Sequence, residues 1–258
     1  MKKIVYLSLL GLLISIIVFW VTLPDVSILK KKNPKKTSFM EFRVREWQVT
    51  GQNRFIRQEW VPLSRISPFV IKALIIAEDS KFWQHEGFDY EAIQKAIEKD
   101  LMSKKFKKGG STITQQLAKN LYLSPGKTLF RKLREAAITW KLERNLTKRR
   151  ILEIYLNVVE CGDGIYGVEA ASREYFGKPA TDLNAMEASK IVSILPNPRK
   201  YHPNGTQKYV LNRSMMIYQI MVERGIVVPE FEEMIPEKEE SPQPGIVSGT
   251  SARPLPPP

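Results

Sequence analysis

The sequence predicts an all-α domain carried on one N-terminal membrane-spanning helix. Three observations predict it. Residues Ile4 to Leu23 form an uncharged apolar run of twenty residues. From Ser67 to Arg224 one helix-period pattern follows another. The last thirty residues turn acidic and then rich in Pro, Gly and Ser, a composition that builds no packed core.

A twenty-residue helix covers about 30 Å, the thickness of a bilayer's hydrocarbon core. Trp20 stands where an interfacial anchor belongs. A cleaved signal peptide is the rival reading. The run exceeds the usual apolar region of such a peptide, and no small-x-small pattern follows in Val21-Thr22-Leu23-Pro24-Asp25. A retained anchor over 1–23 is therefore expected. Lys2 and Lys3 precede the run, whereas Lys30, Lys31, Lys32, Lys35 and Lys36 follow it. Counted alone, these lysines place the bulk of the chain in the cytoplasm.

Residues 24–50 read as a basic juxtamembrane linker, suited to anionic headgroups. No clear element emerges between Phe39 and Pro62. Ser67-Pro68 opens a helix that runs to Glu78, and Tyr90–Met102 is amphipathic. A charged loop, Lys104–Lys108, separates these from helices expected over Thr112–Leu123, Thr128–Asn145, Lys148–Val158, Ile165–Phe176, Asn184–Leu195 and Gln207–Arg224. The domain is bounded at 51–228, and 229–258 forms the tail.

The formal net charge is +13, and six glutamates crowd 230–240, so the remainder is more basic still. Such a surface points to an anionic partner: nucleic acid, anionic lipid or a phosphate-bearing substrate. One cysteine, Cys161, excludes an internal disulfide. Two histidines, His85 and His202, make no metal-spaced cluster.

Chemistry concentrates in a few stretches. The apolar run Val70–Ala77 ends in Glu78 and Asp79. A carboxylate leaving a buried segment is partly desolvated, which suits a general acid or base, although the same pattern describes a helix end entering water. Gly109-Gly110-Ser111-Thr112 precedes Gln115, a capping-box pattern that starts a helix. Free N–H groups at that start favour phosphate, and Gln116, Lys119 and Asn120 share one face. The spacing is not that of a P-loop. At helical spacing Arg131 and Lys132 both neighbour Glu135, either as surface ion pairs or as a carboxylate held among cations. Ile151–Asn157 reads as a core helix, and Gly162–Gly167 as a glycine loop opening a tightly packed one. Ser124-x-x-Lys127 has a penicillin-binding spacing, but the Pro and Gly between them favour a turn. Cys161 lacks a neighbouring histidine and is not expected to be a nucleophile.

Together these stretches resemble the peptidoglycan glycosyltransferases. The matching residues are Glu78-Asp79-x-x-Phe82-x-x-His85-x-Gly87-x-Asp89, Gly109 to Asn120, Arg131-Lys132-x-x-Glu135, Lys148-x-x-Ile151-Leu152 with Tyr155-Leu156-Asn157, and Gly164-x-Tyr166-Gly167 through Lys178. The likeness runs from about Trp60 to Pro203, and no transpeptidase motif follows within these residues, as in the monofunctional branch. The resemblance implies a lysozyme-like, two-lobed helical domain that polymerises lipid II, a disaccharide-pentapeptide on undecaprenyl diphosphate, into β-1,4-linked strands with inversion. It implies Glu78 as the base for the acceptor 4-hydroxyl and Glu135 as the residue assisting departure of the diphosphate. Ser111, Thr112, Gln116, Lys119, Arg131 and Lys132 fall where the family holds the donor, and Asp79, Phe82 and His85 where it shapes the site. No obligate cofactor is implied; a divalent cation, Mg or Mn, at the donor diphosphate is the one candidate. The implied partners are lipid II, the growing lipid-linked strand, the cytoplasmic membrane and cell-wall synthesis proteins, not nucleic acid. The domain would face the exterior, against the lysine count. The competing readings are a lytic, glycan-cleaving enzyme with Glu78 as acid and a scaffold that binds anionic lipid. A hydrolase of uncharged bonds has no evident need for Lys119, Arg131 and Lys132.

Overall fold

A computed structural model describes residues 2–103, 110–126 and 128–228. The Lys104–Lys108 loop, Gly109, Lys127 and the tail lie outside the described residues.

Helix α1 (Lys2–Val21) is exposed along its length, and among the described residues it is the one helix long and apolar enough to cross a membrane. The chain that follows is not a loose connection. Leu23, Val26 and Leu29 are buried in the core, and Ser27–Lys30 forms a 3-10 turn held by the Asp25 carboxylate. Arg150 donates to the carbonyls of Leu29 and Lys32 and to Asn33 Oδ1. The region without a clear sequence signal contains α2 (Ser38–Val49). Thr37 caps it by accepting from Met40 N–H, and Met40 and Trp47 bury its inner face.

Helix α3 (Pro68–Glu78) starts with Ser67 as cap and Pro at its first turn, and ends at Asp79. Next come α4 (Tyr90–Ser103), α5 (Ile113–Tyr122), α6 (Leu129–Asn145) and α7 (Lys148–Val158). Thr112, Thr128 and Thr147 cap the last three, each accepting a backbone N–H three residues on. A small sheet interrupts the helices, ordered β1–β3–β2. Its strands are β1 (Arg57–Gln58), β2 (Glu160–Gly162) and β3 (Ile165–Tyr166), with β1 parallel and β2 antiparallel to β3. Ile165 and Tyr166, expected in a helix, are therefore strand. Gly167 turns the chain into α8 (Val168–Phe176) with φ +80°; a side chain there would strike Asn157 O at 2.7 Å. Helices α9 (Ala185–Ile194) and α10 (Lys208–Glu223) complete the described domain.

The helices pack in two groups. In one, α3 lies against α9 and α10; in the other, α5 lies against α2, α6 and α7. Asn157 on α7 holds the segment before α3, pairing with both N–H and C=O of Val61, while Glu153 accepts from Leu63 N–H. Where α1 ends it crosses α6. Four rings stand in a row, Phe130–Phe19–Trp20–Trp140, with successive centroids 6.0, 6.1 and 5.7 Å apart. Arg134 donates to Thr22 O and Lys141 Nζ to Pro24 O. Leu129, Phe130, Leu133 and Trp140 leave that face of α6 apolar and exposed.

Candidate active site

Glu78 is the last residue of α3, and the two groups of helices meet at its carboxylate. Gln116 Nε2, from α5, donates to Oε2 at 2.9 Å. Arg213 Nη2, from α10, donates to Oε1 at 2.9 Å. The Gln116 amide is itself fixed from behind, because Tyr155 O–H donates to its Oε1 at 2.9 Å. Tyr155 is fully buried, and burial, with the Glu78 charge second, holds its phenol well above the usual range, so it acts here as a neutral donor. The Glu78 side chain keeps 12% of its surface open to solvent, which gives a substrate proton access.

Asp79 points the other way and is buried. Its Oδ2 accepts Ile113 N–H at 3.0 Å, the first residue of α5, where the positive end of the helix dipole favours a carboxylate. Its Oδ1 meets His85 Nε2 at 2.8 Å. Gly87 N–H donates to His85 Nδ1, which leaves the ring proton on Nε2 for Asp79. Thr112 O–H donates to Gly87 O at 2.7 Å. Gly87 has φ +91°, and a Cβ there would lie 2.8 Å from Thr139 Cγ2, so the loop presses directly on α6. Phe82 is buried beneath Lys148, whose Nζ also pairs with Glu143, the acceptor of Thr114 O–H. The loop after Glu78 thus locks the starts of α5 and α7 to the middle of α6.

The candidate donor-binding cations stand on α5 and α6. Glu135 is buried, with a side chain 4% exposed; Arg131 Nη1 donates to Oε2 at 2.8 Å and Lys132 Nζ contacts Oε1. The spacing expected to bring these three together does so. Burial of such a carboxylate requires the partners, since an unpaired buried charge costs several kcal/mol. Arg131 Nε–H is also buried and meets no acceptor among the described residues. Lys119, one turn beyond Gln116, places Nζ 5.5 Å from the centre of the Phe39 ring. Ser111 is exposed at the entrance to α5, whereas Thr112 is buried with its hydroxyl engaged as cap and in the bond to Gly87. Of the residues singled out from the sequence, Glu78 and Gln116 are in direct contact, and Arg131, Lys132 and Glu135 form a second cluster on α6, the helix packed against α5.

Two participants were not found by sequence reasoning. Tyr155 lies in the core, as its helix pattern predicts, but its hydroxyl has a polar task. Arg213 lies 135 residues from Glu78 in sequence. Its signal was a cation at helical spacing from the buried residues Val210, Ser214, Ile217 and Met221.

The model of the Transglycosylase family matches residues 46–222. The chain belongs to this family. Curated relatives named biosynthetic peptidoglycan transglycosylase include that of Aromatoleum aromaticum, 49% identical over 190 residues, covering 72% of this chain and 83% of the relative. That of Nitrosospira multiformis is 45% identical over 194 residues, with 75% and 84% covered. That of Chromobacterium violaceum is 43% identical over 223 residues, with 86% and 97% covered. The matched stretch contains both clusters and Arg213, but ends before the acidic and Pro-rich tail.

The fit of a metal ion can be judged from the side chains. Among the described residues no three His, Cys, Asp or Glu converge. Both oxygens of Glu135 already face cations. These residues do not fit a resident divalent ion. Cys161 is buried as well, and burial followed by the Glu160 charge pushes its thiol up to about 12, so it carries no thiolate at neutral pH.

Proposed function

We propose that this chain is a peptidoglycan glycosyltransferase that joins lipid II units into glycan strands at the outer face of the cytoplasmic membrane. The observation that carries this reading is a pair of unlike clusters on two helices packed against each other, α5 and α6. Gln116 on α5 holds a carboxylate that opens to solvent, Lys119 stands one turn further along α5, and Arg131 and Lys132 stand together on α6, which packs against α5. A base beside an anion-holding group is the minimum needed to activate a hydroxyl and release a diphosphate. The family match supports the same chemistry.

In this mechanism Glu78 takes the proton of the acceptor 4-hydroxyl. The oxygen forms a bond to the donor anomeric carbon from the face opposite the leaving group, which inverts that centre. The bond from the anomeric carbon to the diphosphate oxygen breaks, and its electron pair leaves with the diphosphate. Arg131, Lys132 and Lys119 stabilise that charge. Glu135 sets where the two cations stand. Magnesium or manganese, if the reaction draws on it, would arrive on the diphosphate oxygens of the substrate. α1 and the exposed apolar face of α6 hold the domain at the bilayer, where the lipid tail of each substrate remains.

The test offers purified protein lipid II and, separately, finished glycan strands. Polymer from the first and intact strands in the second are expected. Shortened strands with no polymer would make the protein a lytic enzyme. For orientation, a reporter active only outside the cytoplasm and fused after Pro258 should be active; a silent but stable fusion would restore the topology that the lysines alone suggest.

A further inference from the structure

Arg213 belongs to neither the cation cluster on α6 nor the capped start of α5. It sits on the inward side of α10, among Val210, Ser214, Ile217 and Met221, all buried. A guanidinium in such a position is costly unless it is paired. Among the described residues its carboxylate partner is Glu78, at 2.9 Å, with side-chain exposures of 22% for Arg213 and 12% for Glu78. The same Nη2 lies 3.3 Å from Ala77 O, the carbonyl just before Glu78. It therefore reads both the backbone and the side chain of the final turn of α3, where the negative end of the helix dipole favours a cation. Its buried Nε–H has no acceptor among the described residues.

We propose that Arg213 is a positioning residue for Glu78: it holds Oε1 while Gln116 holds Oε2, so that the remaining lone pairs face the open side of the site. This rests on Glu78 being the base. An ion pair made only for stability needs one good contact. Here donors from two further helices fix the two oxygens separately, and a third, Tyr155 on α7, fixes the Gln116 amide. A carboxylate gripped at both oxygens has lost rotation about its last bond. It meets an approaching hydroxyl in one orientation, which is how placement lowers a barrier without touching substrate.

The experiment compares Arg213→Met, Arg213→Lys, Glu78→Gln and the double variant Glu78→Gln/Arg213→Met in the full chain, using lipid II polymerisation over long incubations and thermal unfolding. Arg213→Met should lower kcat roughly 10- to 100-fold, short of the ~10²–10⁴-fold attached to a base itself, with KM for lipid II little changed. Arg213→Lys should recover part of the loss. On the Glu78→Gln background, Arg213→Met should cost nothing further, because a residue acting through Glu78 has nothing left to position. Wild-type kcat in Arg213→Met, a loss confined to KM, or full multiplication of the two losses in the double variant would overturn the proposal; the last two would make Arg213 a substrate contact. Ordinary turnover in Glu78→Gln with Arg213→Met impaired would instead remove Glu78 as the base, a failure of the underlying reading that the other arms distinguish. Should Arg213→Met not fold, Arg213→Lys decides alone: lower kcat at unchanged KM supports positioning, and wild-type kcat refutes it.

Discussion

The hydroxyl of Tyr155 lies 2.9 Å from Gln116 Oε1, and that bond decides which end of the Gln116 amide faces Glu78. With the phenol donating, the amide oxygen is spoken for and the amide nitrogen must point outward to the carboxylate. A residue at the bottom of the core thereby sets the chemistry offered at the surface.

Tyr155→Phe removes this donor and keeps the ring. The half-buried amide oxygen loses its donor, a cost of about 1 kcal/mol. We expect a lower melting temperature and a fall in kcat of roughly tenfold, the equivalent of about 1.4 kcal/mol, as the amide becomes free to turn. Unchanged turnover alongside a lowered melting temperature would show that the Gln116 orientation is irrelevant to the reaction.

Glu78→Gln retains size and hydrogen bonding but cannot take a proton. Polymerisation should fall by ~10²–10⁴-fold, while binding of a donor analogue, followed by calorimetry or fluorescence, remains close to wild type. The reverse pattern, weaker binding with ordinary turnover, would make Glu78 a contact and turn attention to Glu135.

Lys119→Ala should weaken a diphosphate-bearing analogue, and the deficit should be larger at 20 mM than at 500 mM salt, since roughly 20 Å of Debye length at the first shrinks to about 4 Å at the second. Glu135→Gln should alter donor affinity as well as turnover, because it releases Arg131 and Lys132 from the carboxylate that spaces them. Equal losses at both salt concentrations for Lys119→Ala would argue for a packing role against Phe39 in place of a charge role.

Alkaline solution should destabilise the fold. Burial raises the Cys161 thiol to about 12 from an ordinary value of 9.0, and Tyr155 rises in the same direction. Above pH 9 the unfolded chain loses these protons and the folded chain does not, so stability declines as pH climbs from about 9 toward 12. Cys161→Ala should make that decline shallower in urea titrations. A thiol reagent at pH 8 should find no reactive group in the native protein and one after denaturation; rapid native labelling would contradict the burial.

Much of this was legible in the sequence because helix starts are local chemistry. Ser67-Pro68, Thr112 with Gln115, Thr128 and Thr147 mark four helices through hydrogen bonds spanning two or three residues. The cluster of Arg131, Lys132 and Glu135 was legible for the same reason, being one turn of one helix. Other features failed this test. Strands of two or three residues are too short to show alternation, and β3 exists because Gln58 and Asn157, far apart in sequence, fasten the segments beside it. Helix α2 mixes charge and aromatic residues without a clean stripe, since Arg43 turns inward to Glu160. Arg213 and Tyr155 act on Glu78 only after α10 and α7 have packed, and one sequence does not encode such a meeting in any pattern of spacing.

The row of rings Phe130–Phe19–Trp20–Trp140 makes the anchor part of the instrument. A flexible leash would let the domain hover and tumble above the lipid, sampling heights and tilts. Arg134 and Lys141 hold the residues just after α1 as well, so α1 and the helix bearing Glu135 are joined at that end. Under the proposed membrane anchoring, this junction sets the depth of the site, like the height of a print head above its paper. Membrane thickness is then a control variable of that proposal: bilayers that force α1 to tilt should tilt the site with it, and product length or rate should follow.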